Sequence, residues 1–161
     1  MSPRTKKILR ALAIGLGVAF VAIQFVPVRD IGSNPPERYK LDAPPEVESI
    51  MRRACLDCHS NETRWPLYSR IAPGSWLLSR DVHNGRKHHN FSEWGSEDED
   101  ERQTDRENCW EQIEAGTMPP LKYIYPMHLD ARLADADKAL LKSYFLKDSS
   151  IAKKKDADST K

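Results

Sequence analysis

Five consecutive residues carry the chemistry of this chain: Cys55, Leu56, Asp57, Cys58 and His59. Two cysteines three apart share one side of a helical turn, and a histidine follows directly. This spacing is the attachment signature of c-type haem. The two thiols can add to the two vinyl groups of one porphyrin, and the imidazole of His59 then lies under the iron as proximal ligand. Two other chemistries use a C-x-x-C pair. A redox disulfide is expected in a βαβ setting, which this sequence does not offer. A zinc site needs a second ligand pair at metal spacing, and Cys109 is the only other cysteine. The expected cofactor is therefore one covalent haem c per chain.

A haem iron with one protein ligand binds small molecules or reacts, whereas one with two mostly transfers electrons. Met118 is the expected second ligand. It stands in Gly116-Thr117-Met118-Pro119-Pro120, 59 residues beyond His59. The glycine lets the chain turn, and the prolines stiffen the loop that presents the thioether. His128, in the loop before the last helix, is the alternative distal ligand. Met127, His83, His88, His89 and an open site follow.

The elements that must position these residues are helical. A helix is expected to start at Pro45, where proline suits the first position and Glu46 and Glu48 favour the dipole. Val47, Ile50, Met51 and Ala54 fall on one face, and Cys58 continues it. Ser60 to Pro73 is expected as a loop. Trp65 and Tyr68 are placed over the porphyrin, and Arg64 or Arg70 on a propionate. Ser75 is expected to cap a helix from Trp76 to about Arg86, with Trp76, Leu77 and Val82 buried. The charged run Ser96 to Glu107 is expected as an exposed turn without function. Cys109 lies in the Trp110 helix as a small buried hydrophobe. The last helix is expected over Asp135 to Lys147, with Ala136, Leu140, Leu141 and Tyr144 as its apolar stripe.

The start of the chain has its own pattern. Arg4, Lys6, Lys7 and Arg10 form a basic tail, and the 18 residues Ala11 to Val28 carry no charge. As a helix they would rise about 27 Å, close to a bilayer core. The expectation is an uncleaved transmembrane signal anchor over 11–28, in contact with the lipid bilayer, with residues 1–10 in the cytoplasm. A proline-rich linker over 29–44 would follow, then a domain over 45–147 and a disordered tail over 148–161. This layout implies a single-pass protein of a bacterial inner membrane with its C-terminal domain in the periplasm. Residues 1–30 carry +4 of the net +1, so the remainder is −3. A mildly acidic domain makes no case for nucleic acid.

The order of an N-terminal helix, a C-x-x-C-H run, a Gly-x-Met-Pro loop and a final amphipathic helix resembles class I cytochrome c. More specifically, the chain looks like the bacterial haem-binding domain family that carries this motif. The matching text runs from Cys55 to Pro66. It continues in Ile71-Ala72-Pro73, Ser75-Trp76-Leu77 and Asn90-Phe91-Ser92-Glu93-Trp94, and ends with Met118-Pro119-Pro120 and His128 to Leu133. The resemblance implies an all-α, cytochrome c-like domain around one covalent haem, here preceded by the transmembrane helix. Its haem-binding residues would be Cys55, Cys58, His59 and Met118, with His59 and Met118 on the metal. The expected function is one-electron transfer between redox partner proteins at the membrane. The alternatives are a haem sensor or small peroxidase-like enzyme with an open sixth site, and an assembly factor that holds haem in transit.

Overall fold

The computed structural model describes residues 1–39, 42–96 and 98–146. Among these residues the chain is helical, with seven α-helices, three short 3-10 turns and no strand. The helices are α1 (Pro3–Ile23), α2 (Pro45–Ala54), α3 (Leu56–His59), α4 (Gly74–His88), α5 (Glu99–Glu114), α6 (Leu121–Ile124) and α7 (Asp135–Phe145).

The expected transmembrane helix does not form. Helix α1 begins at Pro3, where Ser2 caps it, and so takes in all four basic residues of the tail. Beyond Arg10 only Ala11–Ile23 remains helical, 13 residues that rise about 20 Å against a bilayer core of about 30 Å. At its end the amides of Gln24, Phe25 and Val26 each reach back only three residues, and the helix tightens and stops. No helix among the described residues is long and apolar enough to cross a membrane. The single-pass inner-membrane placement, and the bilayer contact through 11–28 on which it rested, lose their support.

Residues 24–39, which include most of the expected linker, are hydrogen-bonded along the domain. The Gln24 side chain pairs with both backbone groups of Ala72. The Ser79 hydroxyl donates to the Arg29 carbonyl at 2.6 Å, and the Asn34 amide to the Thr63 carbonyl at 2.9 Å. Tyr39 N–H donates to the Ser92 carbonyl.

Helix α2 forms as its sequence directs. Pro45 occupies the first turn with Glu46 and Glu48, and Arg52 and Arg53 sit in the last. Val47, Ile50, Met51 and Ala54 are its buried stripe. The stripe packs with Leu56, Phe91, Trp94 and Ile113 and with Leu141 and Phe145 of α7. Phe91 and Trp94 meet edge to face at 5.1 Å, a favoured aromatic geometry. A smaller cluster joins Ala54, Ile124 and Ala131.

Three expectations change here. The charged run is not a turn: α5 starts at Glu99, because the Asp98 carboxylate accepts from Glu101 N–H at 2.8 Å and Glu99, Asp100 and Glu101 complement the dipole. The apolar stripe of Cys109, Trp110 and Ile113 marks only the second half of this helix, and the charged first half has no apolar face to show in hydrophobic periodicity. Trp76 and Leu77 are exposed rather than buried, since α4 turns Ser75, Ser79, Val82 and Gly85 inward. Helix α7 ends at Phe145 and buries Leu141 and Phe145, while Leu140 is exposed. The expected disordered tail lies outside the described residues.

Candidate functional site

The C-x-x-C-H residues wind a turn of their own. The backbone leaves the α-helical region at Cys55 (φ −127°), which ends α2 and caps α3. The amides of Cys58 and His59 both donate to the Cys55 carbonyl, at 3.1 and 3.0 Å. Both thiols are free and partly exposed at the surface of otherwise dense protein. Burial pushes the Cys55 thiol up to about 12 and the Cys58 thiol up to about 11. A redox C-x-x-C works through a depressed thiol pKa, so this pair is set up against that chemistry.

His59 is held by its ring. Its Nδ1 lies 3.0 Å from the His89 carbonyl oxygen. A carbonyl only accepts, so Nδ1 carries the proton and Nε2 keeps a free lone pair, the form in which imidazole binds a metal. Burial holds the His59 pKa below the ordinary imidazole value, which favours this neutral form.

Asp57, an unassigned position of the motif, organises the surroundings. It is 8% exposed, and its carboxylate accepts from Arg64 N–H, Nε and Nη2 and from the Tyr123 hydroxyl, at 2.8–3.1 Å. Burial acts to raise its pKa, but the Arg64 and Tyr123 bonds outweigh it and the carboxyl lies low. Burial and the neighbouring Asp57 together push the Tyr123 phenol up. Arg64, expected on a propionate, is thus committed to Asp57. Trp65, expected over the porphyrin, donates its indole N–H to Asn34.

Helix α4 crosses behind the motif at Gly85. A Cβ on Gly85 would overlap the Cys58 carbonyl, so the helix backbone approaches α3 as closely as glycine allows. A glycine inside a helix costs about 1 kcal/mol relative to alanine, and that was the available signal.

Met118 is presented by the end of α5. Gly116 takes a left-handed turn (φ 72°), and the amides of Thr117 and Met118 both bond the Gln112 carbonyl. Met118 is 39% exposed. Pro119 and Pro120 lead into α6, where Tyr123 reaches Asp57 and Lys122 pairs with Asp81 of α4 at 2.7 Å. His128 follows on the same segment. Its ring stacks on Tyr123 at 4.3 Å, and its Nε2 lies 3.4 Å from the Tyr68 hydroxyl. Met127 is exposed, His88 is exposed, and His83 lies 3.9 Å from Asp30. His89 is buried with its Nδ1 on Asp105.

A family model described as a haem-binding domain matches residues 18–147. The chain belongs to the haem-binding domain family. Searches of curated proteins and of solved structures gave no match. The match begins inside α1 and takes in residues 24–39, in keeping with their hydrogen bonds to the domain.

The residues present fit a haem. An imidazole with its Nδ1–H engaged and two unpaired thiols share one turn of helix. Leu77, Leu121 and Met127 are 52%, 71% and 62% exposed, and the α4 and α6 segments that carry Leu77 and Leu121 are joined by Asp81–Lys122, with α6 bonded to the motif through Tyr123–Asp57. Apolar side chains left open in this way suit a flat hydrophobic group. The sequence reading named Cys55, Cys58, His59 and Met118 but missed Asp57, Tyr123, Gly85 and His89 as partners. Only Gly85 left a trace in the sequence, because the His59–His89 and Asp57–Tyr123 bonds join residues 30 and 66 apart.

Proposed function

We propose that the chain carries one haem c by thioether bonds to Cys55 and Cys58, with His59 as axial ligand and Met118 as the second. The protein would pass single electrons between redox partner proteins. When bound, the iron supplies the one-electron couple. The chain's own residues do the rest. In forming each thioether the thiol sulfur bonds one vinyl carbon and its hydrogen goes to the other, so no outside oxidant is needed. His59 offers Nε2 because its Nδ1–H is occupied. The Gly116 turn and two prolines hold Met118 on a segment that Tyr123 fastens to Asp57, and such fastening limits reorganisation between redox states. The observation that carries the reading is the His59 bond to the His89 carbonyl beside two free thiols.

A second reading is supported by His128. Stacked on Tyr123 and within reach of Tyr68, it offers a distal acid–base group to a sensor or small peroxidase-like enzyme if the sixth position is open. An optical spectrum of the purified holoprotein separates the two. A weak charge-transfer band of iron–thioether ligation in the oxidised form, with low-spin reduced bands, supports Met118 ligation, and its loss in Met118→Ala fixes the assignment. A high-spin spectrum that shifts with carbon monoxide would replace electron transfer by the second reading.

A further inference from the structure

Segment 89–91 grips His59 at two points. The His59 ring donates to the His89 carbonyl, and Phe91 N–H donates to the His59 carbonyl at 2.8 Å. The segment begins where α4 ends, and His89 is in extended backbone, its amide bonded to the Gly85 carbonyl. Nothing in these backbone bonds requires a histidine at 89. Yet the His89 side chain is only 8% exposed, and its Nδ1 lies 3.0 Å from Asp105 Oδ2 on α5. Its ring meets Phe91 at 4.5 Å and Trp94 at 4.9 Å, both edge to face. The Nε2 atom is buried without a partner. The pair joins a buried ring to a partly exposed carboxylate, and it fixes the direction of the His89 side chain between α4 and α5.

We propose that Asp105 and His89 are positioning residues for the axial histidine: Asp105 clamps the His89 ring, and the clamped residue holds the carbonyl that orients His59. The proposal rests on the reading of His59 as haem ligand for its functional meaning. It also gives His89 a place on the proximal side, in contrast to its standing in the sequence as a possible sixth ligand. Removal of the clamp leaves the His89 carbonyl in the chain but frees its direction. The Nδ1–H bond would weaken, and His59 would then be a poorer electron donor to a bound haem iron.

The test uses the full chain, labelled with 15N-histidine and reduced, and reads solvent exchange of the His59 Nδ1–H. In Asp105→Leu, which keeps bulk but has no acceptor, exchange is expected to quicken by about tenfold or more, and the reduction potential to rise. In Asp105→Asn, whose amide oxygen still accepts from His89, both should stay within about twofold of native behaviour. Unchanged exchange and potential in Asp105→Leu would overturn the clamp. Should that variant not fold, His89→Phe takes the same reading, since it keeps the edge-to-face packing and lacks the donor. Haem staining on a denaturing gel separates the two ideas. A native chain without covalent haem defeats the haem c reading, while ring-proton exchange in the same haem-free chain still decides the clamp.

Discussion

Each residue of the C-x-x-C-H run has a separate task, and the tasks can be tested singly. Cys55 and Cys58 are unpaired thiols held in the protonated form by burial. A Cys55→Ala, Cys58→Ala double variant is expected to lose all haem on a denaturing gel, while either single variant keeps one thioether, visible by mass. Asp57 is structural. Its ionised carboxylate accepts the Tyr123 hydroxyl at 2.8 Å, and hydrogen bonds to charged groups contribute about 1.5–3 kcal/mol. Tyr123→Phe should therefore lower stability in urea by about that amount, and should weaken the Met118 spectral signature because α6 is no longer fastened. A variant as stable as the native chain would remove Tyr123 from this role.

At the scale of elements, two contacts decide the arrangement. Helix α4 packs on α3 through Gly85. Alanine there gains about 1 kcal/mol in helix propensity, but its methyl group meets the Cys58 carbonyl, and overpacking costs about 1–3 kcal/mol. Gly85→Ala is expected to be the less stable protein in thermal unfolding, with disturbed haem attachment; a gain in stability would show that the helices can separate. Helix α7 docks on α2 through Asp137, which pairs with Arg53 at 2.7 Å and accepts the Ala134 amide at 2.8 Å. Burial acts to raise the Asp137 carboxyl, but the Arg53 and Ala134 bonds more than offset it, and its pKa lies below the ordinary value. A depressed carboxyl contributes stability that is present above the unfolded pKa, near about 3.9, and lost as pH falls through the folded one. Acid unfolding of Asp137→Asn should accordingly show a shallower loss than the native chain, with the two curves fully apart above the unfolded pKa and merging as pH falls through the lower folded one.

Over the whole molecule, the core is small for the length of chain. Among the described residues most of the buried hydrophobic ones fall in two clusters, and large apolar side chains on segments 67–77 and 118–129 stay open. A bound haem would cover such a face and add to the core, as metals and disulfides do in other small domains. The double cysteine variant is thus expected to melt at lower temperature than the haem-loaded chain, and to bind a hydrophobic dye more strongly. Equal melting temperatures would place the haem outside the core. At this scale the N-terminus also changes meaning. Composition alone marked 11–28 as an anchor, but the helix starts early, spends its first turns on basic residues and stops at Ile23. The residues beyond it are bonded to Ala72, Thr63 and Ser79.

The sequence by itself determined what is local. The C-x-x-C-H turn, the start of α2 at Pro45, its buried stripe and the last helix from Asp135 all depend on residues within a turn or two of each other, so spacing and capping express them directly. The charged first half of α5 is local as well, but its signal lies in the Asp98 cap and not in periodicity. Tertiary structure alone decided which neighbours serve the motif. Asp57 gains its role from Tyr123, His59 its tautomer from His89, and His89 its anchor from Asp105. These are single hydrogen bonds between segments brought together by packing, and a hydrogen bond across such a separation leaves no period, cap or composition for the sequence to display.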